Sequence, residues 1–134
     1  MPQSFDHILP AIDYIHHHYH SKISIADLAK IAHMSVSNFR LRFRQFMECS
    51  PLQYIQQYRI SMASVELLRG HKTIETIARE NGFPTVSSFL RQFARYKRMS
   101  PRQWARQQQE RAHPEMVSAK PKNNRNNQPE RNDP

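Results

Sequence analysis

Two similar stretches of sequence, separated by an offset of 50 residues, decide the fold. The second reads IARENGFPTVSSFLRQFARYKRMSPRQW at residues 77–104, and the first reads LAKIAHMSVSNFRLRFRQFMECSPLQY at residues 28–54. The offset aligns Phe39 with Phe89, and each copy contains a Ser-Pro pair that can cap and open a further helix. Each copy therefore predicts a short helix, a tight turn and a longer basic helix. This is the pattern of a helix-turn-helix unit, whose second helix can enter the major groove of DNA.

The apolar residues outside the repeat follow the same helical period. They predict a first helix that runs to about His20, and a long central helix that Ser50 caps and Gly70 ends. We therefore predict an all-α fold of seven helices and no strand, with helix-turn-helix subdomains at about 25–46 and 73–96 joined by the central helix. The residues expected to face the interior include Phe39, Phe43, Phe46, Phe89, Phe93, Tyr96, Trp104 and, on the central helix, Leu52, Ile55, Ile60, Ala63, Leu67 and Leu68.

The composition of the chain changes near residue 108. Residues 108–134 are rich in Asn, Pro and charge, and Met116 and Val117 are their only sizeable apolar residues. Such a segment buries too little apolar surface to offset the entropy of ordering, so a disordered polar tail is predicted there. The folded domain is expected at 5–107.

Most of the positive charge lies in the part expected to fold. The chain has a formal net charge of +9, and 15 of its 20 basic residues fall within residues 1–109. No acidic residue occurs between Asn81 and Gln109, whereas six Arg or Lys residues do. A stretch of one sign on ordered structure is the electrostatic pattern expected of a surface that binds phosphates.

Composition and motifs exclude several other classes of protein. No apolar run approaches the roughly 18 residues of a membrane span, and the single Cys49 cannot form an internal disulfide, so a cytoplasmic protein without a membrane partner is expected. The sequence offers no paired carboxylates, nucleophile–base set or glycine-rich phosphate loop, so we expect neither an enzyme nor a cofactor. His16 and His20 lie one turn apart without a full set of metal ligands, which favours a solvated helix face over a metal site.

Helical angles separate the outward from the inward side of each basic helix. In the second copy the outward candidates are Ser87, Arg91, Arg95 and Arg98, with Val86 and Leu90 on the flank. In the first copy they are Ser37, Leu41 and Arg44, with Arg40 on the flank. All ten are expected to contact DNA.

The two copies differ at the position expected to matter most. An outward arginine can hold guanine O6 and N7 in a bidentate fork, so Arg91 is expected to read bases. Leu41 stands at the equivalent position and offers only an apolar contact, for example to a thymine methyl. Arg95 and Arg98 are expected to hold phosphates.

The sequence resembles the DNA-binding domain of the AraC/XylS family of bacterial transcription regulators. The resemblance covers about 5–107 and is carried by Ile77-Ala78, Gly82-Phe83, Phe89-x-Arg91-x-Phe93 and Ser100-Pro101-x-x-Trp104. The chain looks most like the small members that consist of this domain alone. The resemblance implies a monomer that places two recognition helices in adjacent major grooves of double-stranded DNA and activates transcription through contact with RNA polymerase. By position it implies base contacts from Ser37, Arg40, Leu41, Val86, Ser87, Leu90 and Arg91.

Some residues depart from the family pattern. Leu41 replaces the usual arginine, and Glu48 and Arg98 replace two glycines in the turns before Ser50 and Ser100. Two other functions remain open at this point. A non-specific nucleoid-type protein would show steep salt dependence without sequence preference, and an RNA-binding protein would prefer single strands stacked on exposed aromatic rings.

Overall fold

The computed structural model describes residues 5–112, which contain helices and no strand. A short 3-10 helix at Phe5–His7 precedes the α-helices. These are α1 (Leu9–His18), α2 (Ile25–Ile31), α3 (Val36–Met47), α4 (Pro51–Arg69), α5 (Ile74–Glu80), α6 (Val86–Lys97) and α7 (Pro101–Ala112). The predicted all-α fold with seven helices is confirmed over this range. None of the described helices has the length and apolar character needed to cross a bilayer.

The described residues fall into two units, which divide after Pro101. The first unit contains α1 to α6, in which α2 and α3 pack as one helix-turn-helix motif and α5 and α6 pack as another. The described part of the second unit is the remainder of α7, which ends at Ala112. Residues 108–112, predicted to belong to a disordered tail, are therefore helical. The rest of that predicted tail, 113–134, lies outside the described residues.

Side-chain caps fix where five of the helices begin. The N-caps of α2 to α6 are Ser24, Ser35, Ser50, Thr73 and Thr85, and each side-chain oxygen accepts a hydrogen bond from the backbone N–H three residues later. At α4 the capping is reciprocal, because Gln53 Oε1 accepts a bond of 2.9 Å from the Ser50 backbone N–H. A cap of this kind contributes about 1 kcal/mol. Local sequence therefore specifies where these helices begin, as predicted for Ser50 and the central helix.

The phenylalanines of the repeat build the interior of the first unit. Phe39 and Phe43 are fully buried with their ring centroids 5.6 Å apart, and Phe89 and Phe93 repeat the arrangement at 5.8 Å. Helix α4 packs against α3, α5 and α6 and so connects the two motifs. Its 19 residues span about 28 Å, because an α-helix rises 1.5 Å per residue.

Some residues predicted to face the interior are exposed instead. Phe46 is 37% exposed and packs edge-on against Phe5, with ring centroids 6.1 Å apart. Leu68 is 45% exposed because it lies outside the arc of α4 that packs on the rest of the unit. Leu52 is 60% exposed in the first turn of α4, where it lines two clefts. Leu67, Tyr96 and Trp104 are half-buried rather than fully buried.

Two further details differ from expectation at the helix ends. Helix α1 ends at His18 and not at His20, because the chain turns where the Ser21 N–H donates to the His18 carbonyl at 3.0 Å. At the ends of α3 and α6, Glu48 and Arg98 adopt the left-handed conformation with φ of 62° and 65°. The two turns therefore keep one geometry without glycine, at a strain of about 1 kcal/mol each.

Candidate nucleic-acid interface

Helix α6 presents the predicted outward residues of the second motif to solvent. Its position is fixed on the inner side by Phe89 and Phe93, both fully buried, and at its start by the Thr85 cap. The exposed side chains are Ser87, Leu90, Arg91, Arg95 and Arg98, whereas Val86 is half-buried. The fold therefore places these residues on the outer side of the second motif, from Ser87 in the first turn of α6 to Arg98 at its C-terminal end.

Helix α3 presents the first motif in the same way. Phe39 and Phe43 anchor it from within, and Ser37, Arg40, Leu41 and Arg44 are exposed. The side chain of Leu41 is 53% exposed. It therefore presents a large apolar surface at the position equivalent to Arg91 in the second motif. The chemical difference predicted between the two outer faces is present in the structure.

The arginines of these faces are not neutralised by acidic side chains. The carboxylates of Asp13, Glu66 and Glu80 pair with His17, Arg69 and Lys72, and not with the exposed arginines of these two faces. Arg95 lies 5.9 Å from the centroid of the Tyr96 ring, a cation–π distance that holds the guanidinium close to the helix. Both faces therefore carry net positive charge available to an anionic partner.

Two clefts lie beside these helices within the first unit. The first, of about 420 Å³, is lined by Arg40 and Arg44 of α3, by Ile25, and by the first turn of α4. The second, of about 590 Å³, lies between the segment 20–23, the N-terminal half of α4 and the turn that leads into α6. Leu52 lines both clefts, so they adjoin at the start of α4.

A buried arginine ties α4 to the end of α1, next to the turn between α5 and α6. Arg59 is 9% exposed, and its Nε and one terminal nitrogen donate hydrogen bonds of 2.7 and 2.8 Å to the carbonyls of Tyr19 and Ser21. Burial lowers the pKa of Arg59 from its usual value. Gly82, in the turn between α5 and α6, lies directly against this contact with φ of +89°. The network therefore joins the end of α1, the middle of α4 and the turn that aims α6.

Sequence reasoning missed Arg59, although a signal was present. The residue lies four positions after Ile55 and four before Ala63, both buried, so it occupies the apolar stripe of α4. A lone arginine in such a stripe predicts a buried guanidinium that needs carbonyl partners. The sequence does not reveal which carbonyls these are, because they lie about 40 residues away.

The histidine run of α1 has a structural role that was not predicted. His16, expected on a solvated face, is half-buried, bonds through Nε2 to the Tyr54 hydroxyl at 2.7 Å and stacks on the Tyr58 ring at 4.3 Å. His17 and His18 bond through Nδ1 to backbone carbonyls of their own helix. No three metal-ligating side chains converge anywhere within 5–112.

A family model described as a helix-turn-helix domain matches residues 28–107 of the chain. The chain belongs to the AraC-type helix-turn-helix family. One curated relative, the probable transcriptional regulator LumQ of Photobacterium leiognathi, is 34% identical over 89 residues, which cover 66% of this chain and 36% of the relative. Another, the uncharacterized HTH-type transcriptional regulator YdeC of Bacillus subtilis, is 29% identical over 90 residues, covering 67% and 31%. The chain spans about a third of the length of these relatives.

Solved structures share the AraC-type fold. An AraC-type transcriptional regulator from Chromobacterium violaceum superposes with a TM-score of 0.71 at 20% identity, covering 76% of this chain and 91% of that one. The DNA-binding domain of AdpA, solved in complex with a target DNA, gives a TM-score of 0.71 at 24% identity, covering 79% and 94%. The matching family and fold are those of DNA-binding domains of transcription regulators and not of enzymes.

Proposed function

We propose that the protein is a sequence-specific DNA-binding transcription activator that places α3 and α6 in adjacent major grooves of one asymmetric site. The observation that carries this proposal is the pair of exposed, arginine-bearing helix faces on two motifs of one AraC-type chain. Each motif supplies one recognition helix, so one copy of the chain can cover two half-sites without a partner subunit. We therefore propose a monomer as the DNA-bound species.

The two helices read DNA by different chemistry. On α6, Arg91 forms the bidentate contact to guanine and Ser87 hydrogen-bonds to a neighbouring base. Val86 and Leu90 make apolar contacts to the bases beside them. On α3, Leu41 packs on a thymine methyl, while Ser37 and Arg40 add polar contacts. Arg44, Arg95 and Arg98 hold phosphates and fix the register of the protein on the duplex.

The burial of four phenylalanines on α3 and α6 favours duplex DNA over single-stranded RNA. Proteins that bind single-stranded nucleic acid by base stacking expose aromatic rings to the unpaired bases. Here Phe39, Phe43, Phe89 and Phe93 are all fully buried, so their rings are not accessible to a base. The resemblance to AraC/XylS activators further suggests RNA polymerase as the protein partner, to be recruited once DNA is bound.

Selection of bound duplexes from a randomised pool tests the proposal. At about 0.15 M salt, where non-specific binding is weak, we expect two enriched blocks whose centres lie about one helical turn apart. The block read by α6 is expected to be the sharper of the two. Absence of any enriched sequence would refute specific recognition and favour a non-specific binder, and competition by single-stranded RNA would favour an RNA-binding function. Activation is tested by transcription from a promoter that carries the selected site.

A further inference from the structure

The two clefts beside α3 and α6 adjoin at Leu52, and together we call them the inter-motif groove. It begins at Arg40 and Arg44, passes the exposed side chain of Leu52, and continues along α4 to Ser88 in the first turn of α6. Because Leu52 lines both clefts, they meet at its exposed side chain in the first turn of α4. The two ends of the groove are therefore lined by residues of the two proposed recognition helices, α3 and α6.

The inter-motif groove is basic along its length. Its exposed charged side chains are those of Arg40, Arg44, Lys22 and Arg79, and none of the residues that line either cleft is acidic. Glu80, the acidic neighbour of Arg79 in sequence, is held away by Lys72 at 2.6 Å.

The pairing of Glu80 and Lys72 has a consequence for the groove. Since the Lys72 hydrogen bond also lowers the pKa of Glu80, that carboxylate stays charged and paired outside the groove. The charge of Arg79 also contributes to this lowering of the pKa, and the exposed Arg79 side chain lines the groove.

We propose that the inter-motif groove holds the sugar–phosphate backbone of the DNA strand that runs between the two major-groove contacts. This inference rests on the proposed function and adds to it Lys22 and Arg79, which lie on neither recognition helix. A duplex strand presents one negative charge for every 3.4 Å, about the spacing that a row of cations in a groove can match. The bases of this segment point away from the protein, so these contacts raise affinity and fix register without reading sequence.

The salt dependence of binding tests the groove directly. The variant Lys22→Gln/Arg79→Gln removes two groove charges, and Lys30→Gln/Arg69→Gln removes two exposed charges that do not line the groove. On the selected duplex we expect the slope of log K against log salt to fall by about 0.9 for each lost phosphate contact, about 1.8 in the groove variant. The control is expected to keep the wild-type slope, and both variants to keep the wild-type sequence preference.

A neutral DNA backbone supplies the complementary test. Methylphosphonate linkages between the two half-sites remove the charges that the groove is proposed to hold. They are expected to weaken wild-type binding several-fold and to have little further effect on the groove variant, because the same contacts are already lost.

The two proposals fail in different ways. The groove proposal would be overturned if methylphosphonate linkages weakened the wild-type protein and the groove variant equally. It would also be overturned if the groove and control variants showed equal slopes of log K against log salt. Neither result would affect sequence-specific binding. A wild-type protein that selects no sequence would instead refute the proposed function, and the two slopes would still report on the groove with any duplex.

Discussion

Replacing Gly82 with alanine is expected to destabilise the fold far more than the same change at Gly70. A Cβ at Gly82 would lie 2.5 Å from the Tyr19 carbonyl oxygen and 2.7 Å from Arg59 Nε, distances that real Cβ atoms do not show. At Gly70, which has a similar φ of +72°, nothing lies within 4 Å of the added carbon. The two substitutions therefore share the backbone strain and differ in the steric overlap alone.

The expected loss of folding stability follows from the backbone strain at each position and from the contacts that the added methyl group displaces. The left-handed conformation costs an alanine about 1 kcal/mol at either position. At Gly82 the added methyl also displaces Arg59, whose two hydrogen bonds to carbonyls contribute about 1.5–3 kcal/mol each when the donor is charged. We therefore expect Gly82→Ala to lose about 4 kcal/mol or more and Gly70→Ala about 1 kcal/mol.

Urea unfolding followed by circular dichroism measures both free energies of unfolding under identical conditions. The same substitution in an Arg59→Met background supplies a second check, because the overlap with Nε is then absent and the loss at Gly82 is expected to shrink. Equal losses for Gly82→Ala and Gly70→Ala would refute the argument that Gly82 is needed for the close approach of Arg59. An unchanged loss in the Arg59→Met background would show that the Tyr19 carbonyl alone sets the constraint.

Three other outcomes are expected from single side chains. Arg91→Ala should lose about 1–3 kcal/mol of DNA-binding free energy and lose the preference for one base of the site. Arg95→Ala should instead weaken binding to all sequences alike. Titration against the selected duplex and its single-base variants measures both effects. Glu48→Gly and Arg98→Gly should each stabilise the fold by up to about 1 kcal/mol in urea unfolding, and Arg98→Gly alone should weaken DNA binding. Burial raises the pKa of the Cys49 thiol, and this effect exceeds the opposing effect of the Arg44 charge. At pH 8 the thiol should therefore react with iodoacetamide more slowly than a free cysteine does.

The sequence predicted those parts of the fold that short-range chemistry decides. The caps at Ser35, Ser50 and Thr85 each bond a backbone N–H three residues later, so residues adjacent in sequence specify where α3, α4 and α6 begin. The buried phenylalanines follow from the helical period of the repeat. The outward positions of α3 and α6 follow in turn, because a helix anchored on one side by Phe39 or Phe89 must expose the opposite side.

Contacts between distant segments could not be predicted in this way. His16 reads as one of four histidines on a polar helix, yet it meets Tyr54, which lies 38 residues further along the chain. Leu52 has the pattern of a core residue, but its first-turn position in α4 leaves it on the rim of two clefts. The inter-motif groove depends on the same distant packing, since its lining combines segments from the α1–α2 loop to α6.

The duplicated backbone constrains how the two half-sites can differ. Helices α3 and α6 have 12 residues each, begin at a hydroxyl cap and end in the same left-handed conformation, at Glu48 with φ 62° and ψ 22° and at Arg98 with φ 65° and ψ 21°. Since the two supports are this similar, a difference in recognition must come from the side chains. Leu41 stands where the other copy has Arg91, so under the proposed function one half-site would be read by apolar contact and the other by a guanine fork. A direct repeat of the α6 half-site should therefore bind more weakly than the selected duplex with two unlike halves, because it leaves a guanine opposite Leu41 with its acceptors unpaired.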